Sequence, residues 1–268
     1  MPIIDAHVHV LDSYPPMAPF DDLGRPDRML FLMDECQVDR ALLVPVVTDF
    51  SPENNAECGE LARAHPDRFS ALTDVQLHLP EAADQVTRAR ETYGAVGISY
   101  YPSSGDVKWM LEPACDRVWD ALESQNLVCS LQMHPASYAV LLELARRHPA
   151  VKFQSNHLAL PSSLDEADET YGGFVEAAGL PNLSVKASGF YAATKTPWDF
   201  RCPRVLAFFH RLLEIVGPDR LLWGSDWPPS GRHLTYRQNL ELIRMCAKLD
   251  GPDLDKILGE NASRIYGI

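Results

Sequence analysis

Eight short apolar runs, separated by segments of helical periodicity, constrain the fold of this chain more than any other feature. The runs are rich in Val, Ile and Leu and recur roughly every 30 residues. They span residues 3–10, 40–47, 69–76, 95–101, 127–134, 151–159, 183–189 and 220–227. Strands that alternate with helices predict a parallel sheet with right-handed crossovers, and eight such strands can close into a barrel. We therefore predict an α/β fold, a (β/α)8 TIM-type barrel.

Four segments between these runs have a clear helical period. They span residues 55–66, 114–125, 137–149 and 204–218. The rival architecture, an open doubly wound sheet, is disfavoured because the first strand is not followed by a GxGxxG turn. No linker or low-complexity run divides the chain, so we expect residues 1–268 to form one domain, with the closing LDKILGENASRIYGI as a helix covering the barrel wall.

Composition limits the partners and the compartment. The net charge of −13 argues against nucleic acid, whose binding requires clustered Lys and Arg. The six cysteines include no CxxC pair, so we expect free thiols in a reducing compartment. No 18-residue apolar run suggests a membrane span, and the N-terminal stretch lacks a signal-peptide core, so we predict a cytoplasmic protein without a membrane partner.

The first run, IIDAHVHV, places two histidines one residue apart inside an apolar strand. Successive side chains of a strand point to opposite faces, so His7 and His9 share one face. The same alternation assigns Asp5 to that face, and assigns Ile4 and Ala6 to the face covered by helices. We expect the histidine face to point into the barrel, with Asp5 supporting the site from just outside it.

The same alternation assigns polar residues to the inward face near the ends of four other strands. Those assigned inward are His134 in the fifth run, Phe153, Ser155 and His157 in the sixth, Lys186 in the seventh and Asp226 in the eighth. Active sites of such barrels lie at the carboxyl rim, where several strands converge. Imidazole and carboxylate groups are the usual ligands of Zn²⁺ and similar ions. Histidines from three strands and one aspartate therefore predict a metal site at this rim.

With these residues identified, the sequence resembles the amidohydrolase superfamily. The resemblance is to its branch of lactonases, pyrone-dicarboxylate hydrolase-like enzymes and non-oxidative decarboxylases. The stretches that carry it are IDAHVHV, NHLALP, VKASGFY, RLLWGSDWP and ILGENASRIYG, which span nearly the whole chain. IDAHVHV and GSDWP are the most specific of them.

The resemblance implies one divalent metal ion, with zinc expected and manganese as the alternative. Its implied ligands are His7, His9, His134 and Asp226, and His157 is implied to be a nearby acid/base residue. The fourth strand carries an inward Ser99 where two-metal members of the superfamily have a bridging lysine or glutamate, which favours a single metal. Some members of this branch work without metal, so a metal-free site stays open.

The chemistry implied is hydrolysis of a small cyclic ester, either a sugar lactone or a lactone of aromatic catabolism. Asp226 would take a proton from water, and His157 would orient that water or protonate the leaving oxygen. The alternative is a non-oxidative decarboxylase or hydratase that acts on a small unsaturated or aromatic carboxylic acid at the same site. A non-catalytic binding barrel is a third hypothesis.

Several rim residues are candidates for binding a small substrate that carries a carboxylate or hydroxyl groups. Cationic side chains can pair with a carboxylate, and aromatic rings can form a wall against a substrate ring. The candidates are Lys186, Arg201, Arg232, Tyr101, Tyr191 and Trp198. The residue patterns do not determine the oligomeric state, and a homo-oligomer stays open.

Overall fold

The computed structural model describes residues 1–102, 106–161, 171–194 and 198–268. Within these ranges the strands are β1 (Ile4–Val8), β2 (Arg40–Leu43), β3 (Phe69–Asp74), β4 (Gly97–Tyr100), β5 (Val128–Leu131), β6 (Lys152–Ser155), β7 (Leu183–Ala187) and β8 (Leu221–Trp223). They form one sheet in chain order, and each strand is parallel to the next. The predicted barrel is confirmed, and each of the eight predicted runs contains one of these strands.

Helices follow the strands around the outside of the barrel. In the part of the chain that the structure describes, they are α1 (Pro26–Cys36), α2 (Asn54–Ala64), α3 (Ala82–Tyr93), α4 (Asp116–Ser124), α5 (Tyr138–Arg147), α6 (Phe190–Ala193), α7 (Pro203–Val216), α8 (Tyr236–Glu241), α9 (Gly251–Asp255) and α10 (Asn261–Tyr266). Proline at the first position of α1 and α7 suits a helix start, where its missing N–H is not needed. The four segments with helical period correspond to α2, α4, α5 and α7.

The barrel is closed between β1 and β8 just beyond the end of β8. An isolated parallel bridge joins Val8 to Trp227. The N–H of His9 donates to the carbonyl of Trp227 at 2.7 Å, and the N–H of Asp226 donates to the carbonyl of His7 at 2.9 Å. The closing bonds therefore link the backbones of three residues predicted to act in the site.

A small apolar cluster fills the lower interior of the barrel. It brings the C-terminal helix against residues from five strands, and its members include Ile4, Ala6, Leu42, Leu72, Val128, Leu222, Ala262, Ile265 and Tyr266. The hydroxyl of Tyr266 also donates to the side chain of Gln154 on β6. The last turn of the C-terminal helix therefore closes the amino-terminal end of the barrel. Ile257 and Leu258 of the same segment pack in the larger apolar cluster between the strands and the outer helices, which we call the outer core. Burial of aromatic and aliphatic side chains against the open barrel end explains this position.

All six cysteines are free, as predicted. Among the described residues, no helix is both long enough and apolar enough to cross a bilayer.

Candidate active site

Imidazole and carboxylate groups from three parts of the barrel converge at its carboxyl end. Ligand atoms of His7, His157 and Asp226 all lie within 4.8 Å of one another. His9 joins them, because its Nε2 lies 3.0 Å from Nε2 of His7 and 3.2 Å from Oδ1 of Asp226. His7, His9 and Asp226 are at most 6% exposed. The convergence predicted from strand alternation is therefore present for these four residues.

The path of β1 differs from simple alternation. Ile4 and Ala6 lie in the interior cluster, whereas they were expected to face the helices. Asp5 was expected to point inward with His7, but its environment includes Tyr236 of α8, a residue of the outer core. The cause is a register irregularity between Asp5 and Val8, which changes the face presented by the strand. The alternation assigned to Asp5, Ile4 and Ala6 is therefore wrong.

Asp5 nevertheless supports the site through the backbone. Its Oδ1 accepts hydrogen bonds from the N–H of His7 at 3.1 Å and from the N–H of Ser225 at 2.8 Å. These two amides belong to the segments that carry His7 and Asp226. Burial raises the pKa of the Asp5 carboxyl to about 6, although the bonds from Ser225 and His7 act in the opposite direction.

The hydrogen bonds of His9 suit it to hold a metal ion. Its Nδ1 lies 2.7 Å from the backbone carbonyl of Val44 and can only donate to that oxygen. A neutral ring protonated at Nδ1 directs the lone pair of Nε2 toward His7 and Asp226, and such a bond commonly orients a ligating histidine. Burial, followed by the charge of Lys186, lowers the pKa of His7 well below its usual range, which keeps the imidazole of His7 neutral.

Asp226 is an ionised carboxylate held from both sides. Burial acts to raise its pKa, but the neighbouring imidazoles and a hydrogen bond from Tyr191 outweigh burial and lower the pKa to about 2. The Tyr191 hydroxyl donates to Oδ2 at 2.9 Å, while Oδ1 faces His7 at 3.7 Å and His9 at 3.2 Å. One oxygen is thus engaged by a phenol and the other is directed to the histidines. Two imidazoles beside an ionised carboxylate fit a divalent cation.

His157 reaches the cluster through an unusual backbone. Its Nδ1 lies 3.0 Å from Oγ of Ser188 and 3.9 Å from Oδ2 of Asp226. Phe153 on the same strand belongs to the outer core and contacts Trp119, so the prediction that Phe153 and His157 share one face of β6 is wrong. The chain leaves the strand after Ser155, and residues 157–160 all have positive φ. A left-handed conformation costs a residue with a side chain about 1–2 kcal/mol.

Lys186 lies below the cluster rather than at the rim. It is fully buried on β7, and its Nζ is 3.4 Å from Nδ1 of His7. Burial lowers its pKa to about 7, although the charges of Asp5 and Asp226 act to raise it. The inward direction predicted for this side chain is correct. A role for Lys186 in substrate binding stays a prediction, and its ammonium group contacts the imidazole of His7.

The remaining candidates for substrate binding occupy different settings. Tyr101 lies in the site, with its hydroxyl 3.5 Å from Nε2 of His7, and Tyr191 lies there through its bond to Asp226. Arg232 is exposed, and its charge acts to lower the pKa of Tyr191 and of Tyr14, although burial raises the pKa of both.

Arg201 and Trp198, two candidates for substrate binding, lie away from the histidine and aspartate cluster. The predicted metal ligand His134 is also outside that cluster. The guanidinium of Arg201 is paired with Asp199, with an Nε to Oδ1 distance of 2.9 Å, and the Trp198 side chain is 83% exposed. His134 is half-buried where the chain leaves β5, and among the described residues it is not in the group that lies within 4.8 Å. Roles for these three residues remain predictions.

Sequence reasoning missed several neighbours of the cluster. Tyr14 and Phe50 pack ring against ring at 5.3 Å, and Phe50 contacts the ring of His9 at 5.5 Å. The position of His233 after the eighth strand does predict a place at the pocket, and this imidazole stacks on Tyr191 with an interplanar angle of 4°. Tyr14 and Phe50 lie in loops after β1 and β2, so no strand alternation could predict their direction. Their position at the carboxyl ends of strands was the one available signal.

Comparison with known proteins identifies the family. A family model described as amidohydrolase matches residues 4–268, and the chain therefore belongs to the amidohydrolase family. The resemblance seen in the sequence motifs is thus confirmed.

Two curated relatives are lactone hydrolases. The chain is 29% identical over 169 residues to L-fucono-1,5-lactonase of Burkholderia ambifaria, which covers 61% of this chain and 58% of the relative. It is 44% identical over 100 residues to 4-sulfomuconolactone hydrolase of Rhizobium radiobacter, which covers 35% of this chain and 31% of the relative. The matched regions therefore span less than two thirds of either relative.

Solved structures share the fold over the full length of this chain. An amidohydrolase from Burkholderia multivorans with bound zinc has a TM-score of 0.80 at 20% identity, and both chains are covered completely. A probable 2-pyrone-4,6-dicarboxylic acid hydrolase from Acinetobacter baumannii with bound citric acid has a TM-score of 0.81 at 20% identity, again with complete coverage. 2,6-Dihydroxybenzoate decarboxylase from Rhizobium has a TM-score of 0.72 at 16% identity, with 100% of this chain and 99% of that chain covered. These identities establish similarity of fold alone.

Proposed function

We propose that this protein is a metal-dependent hydrolase of a small lactone. The observation that carries the proposal is the buried convergence of His7, His9, His157 and Asp226 at the carboxyl end of the barrel. The two lactone-hydrolysing relatives support the class of substrate, either a sugar lactone or a lactone of aromatic catabolism. We take residues 1–268 to act as one domain, in the cytoplasm.

His7, His9, His134 and Asp226 would hold the metal ion, and His157 would lie beside it as an acid/base residue. We propose zinc first because the Burkholderia multivorans amidohydrolase of similar fold has bound zinc, and because the donors are imidazole and carboxylate groups. Manganese is the alternative. A bound divalent ion would lower the pKa of a water molecule and would polarise the carbonyl group of the substrate. The chain itself supplies the groups that move protons and orient the substrate.

In the proposed reaction, water adds to the lactone carbonyl carbon, the ring C–O bond breaks, and a hydroxy acid is released. Asp226 is ionised and can accept the proton of the attacking water. His157 can pass a proton to the leaving ring oxygen through Nε2 when Ser188 donates to its Nδ1. Tyr101 and Tyr191 would contact substrate hydroxyls, and Arg232 would attract a substrate carboxylate.

The test combines metal analysis with a panel of lactones. The purified protein should contain about one equivalent of zinc or manganese per chain, and it should acidify a weakly buffered indicator solution with at least one sugar 1,5-lactone or muconolactone. Dialysis against a chelator should abolish acid release, and added zinc should restore it. A protein that hydrolyses the panel equally well after complete metal removal would contradict the metal dependence.

A decarboxylase that uses the same site is the second candidate. The observation in its favour is the likeness of fold to 2,6-dihydroxybenzoate decarboxylase, which covers the whole of this chain. Incubation with dihydroxybenzoates distinguishes the two reactions, since decarboxylation releases carbon dioxide and consumes a proton. Carbon dioxide release together with no lactone hydrolysis would replace the proposed function by this one.

A further inference from the structure

The turn that carries His157 has a backbone that chains of L-residues rarely adopt. His157, Leu158, Ala159 and Leu160 have φ values of 52°, 56°, 58° and 56°. Left-handed residues normally occur singly and are usually glycine or asparagine, and none of these four is either. The turn makes two internal bonds, from the N–H of Ala159 to the carbonyl of Asn156 at 2.9 Å and from the N–H of Leu160 to the carbonyl of His157 at 2.8 Å. Such a conformation persists only where its surroundings stabilise it.

Two buried tyrosines supply that stabilisation. The hydroxyl of Tyr171 donates to the carbonyl of Leu158 at 2.7 Å, and the hydroxyl of Tyr138 on α5 donates to the carbonyl of Ala159. Tyr138 is 2% exposed and Tyr171 is fully buried, and both rings pack against Phe174. The direction of a carbonyl group follows from φ and ψ, so a right-handed turn would turn both acceptors away from the phenols.

The opposite side of the turn faces the cluster. The His157 ring lies 4.6 Å from the His7 ring, centre to centre, and its Nδ1 is bonded to Ser188. Leu158 and Ala159 are fully buried, so the turn is fixed between the outer core and the site. A change in the backbone at Leu158 or Ala159 would therefore move the imidazole.

We propose that Tyr138 and Tyr171 are positioning residues, which hold the left-handed turn through its carbonyls and thereby aim His157 at Asp226 and His7. Their hydroxyl groups act through the backbone and touch neither substrate nor metal. The claim that the orientation of His157 matters for turnover rests on the proposed function. The claim that the two tyrosines stabilise the left-handed turn does not depend on that function.

The first test removes each hydroxyl group and keeps the ring. Tyr171→Phe and Tyr138→Phe should each lower kcat for the lactone identified above by about 10-fold, at the lower end of the range for residues that orient a site from outside. KM should change less than about two-fold and the metal content should stay the same, because the metal ligands are not touched. Tyr266→Phe is the matched control, since it removes a buried tyrosine hydroxyl at the other end of the barrel and should keep kcat.

The second test is a rescue that only a backbone role predicts. Ala159→Gly lowers the intrinsic cost of a positive φ, since glycine adopts that region without a Cβ clash. In the Tyr171→Phe background it should restore kcat to within about three-fold of wild type. Ala71→Gly on β3 is the control, because this alanine is also buried but lies in an extended strand. It should restore nothing, and it should lower Tm more than Ala159→Gly does, by about 2–4 °C.

The outcomes separate this proposal from the proposed function. Unchanged kcat in both phenylalanine variants, or a loss of kcat that Ala159→Gly does not reverse, overturns the positioning role. If wild-type protein hydrolyses no lactone, the proposed function fails, and thermal unfolding still tests the turn. In that case Tyr171→Phe should lower Tm less in the Ala159→Gly background than in wild type, and equal losses in the two backgrounds overturn the proposal.

Discussion

Gly189 lies against His157, and adding one methyl group there tests whether the position of this imidazole matters. Gly189 has a φ of +64° and precedes α6. A Cβ atom at this position would lie 2.8 Å from Nδ1 of His157 and 2.9 Å from its Cγ. Gly189→Ala therefore changes two things, since it strains the backbone at residue 189 and it presses on the ring of His157.

Both effects can be given a magnitude. The left-handed backbone should cost alanine about 1–2 kcal/mol, which corresponds to a fall in Tm of about 2–8 °C in a chain of this size. An ordinary contact between these atoms needs about 3.4–3.5 Å, so the ring must move by about 0.6 Å or more. That movement breaks the 3.0 Å contact with Ser188. Since a misplacement of about 1 Å can cost 10²-fold in rate, we expect kcat to fall by about 10- to 100-fold.

The chain offers a control that isolates the second effect. Gly94, after α3, has φ +69° and ψ 22°, close to the φ +64° and ψ 31° of Gly189, and a Cβ atom there would meet nothing within 4 Å. Gly94→Ala should therefore lose a similar amount of Tm and keep full activity. The assay is steady-state hydrolysis of the lactone identified by the panel, together with thermal unfolding and metal analysis of both variants.

Two results would refute this reasoning. Full activity in Gly189→Ala would mean that the position of His157 is unimportant or that the ring accommodates a methyl group without moving. Equal loss of activity in both alanine variants would mean that backbone strain alone, and not pressure on the imidazole, reduces turnover.

Three further predictions concern the ligands, the acid/base residue and a buried carboxyl group outside the cluster. His7→Ala should lose both metal and activity yet remain folded, and a variant that retains one equivalent of metal by elemental analysis would remove His7 from the ligand set. His157→Ala should keep its metal and lose roughly 10²-fold in kcat, and unchanged turnover would leave His157 without a catalytic role. Burial raises the pKa of Asp74 from 3.8 to about 6, so the folded state binds more protons than the unfolded state between these values. The stability of the wild type relative to Asp74→Asn should therefore fall by about 2–3 kcal/mol as pH rises from 4 to 6, whereas an equal difference at both pH values in urea unfolding would contradict the raised pKa.

Strand alternation predicted the site well where the strands are regular. On β7, Val185 and Ala187 pack in the outer core, and Lys186 points inward as predicted. On β5, Cys129 packs in the outer core while Ser130 bonds to Asn156. A period of two is a property of the extended backbone, so it holds wherever the ladder is uninterrupted.

The same reasoning failed where tertiary contacts bend the backbone. In β1 a register irregularity reverses the faces to which Asp5, Ile4 and Ala6 point, and nothing in the residues IIDAHVHV predicts this irregularity. In β6 the direction of His157 comes from a left-handed turn that contains no glycine. The carbonyls of this turn accept hydrogen bonds from phenols of other segments, and contacts of this kind leave no local pattern in the sequence.

The sequence by itself determined the eight-stranded barrel, the end of the barrel at which function lies, and the residue types available for a metal site. Those properties depend on the periodicity of apolar residues and on the chemistry of histidine and aspartate, which are local. Only the tertiary structure decided how His157 and Asp226 are aimed, because both have positive φ and are held by tyrosines distant in sequence. A strained conformation is stable only when packing and hydrogen bonds from the rest of the fold compensate for its cost.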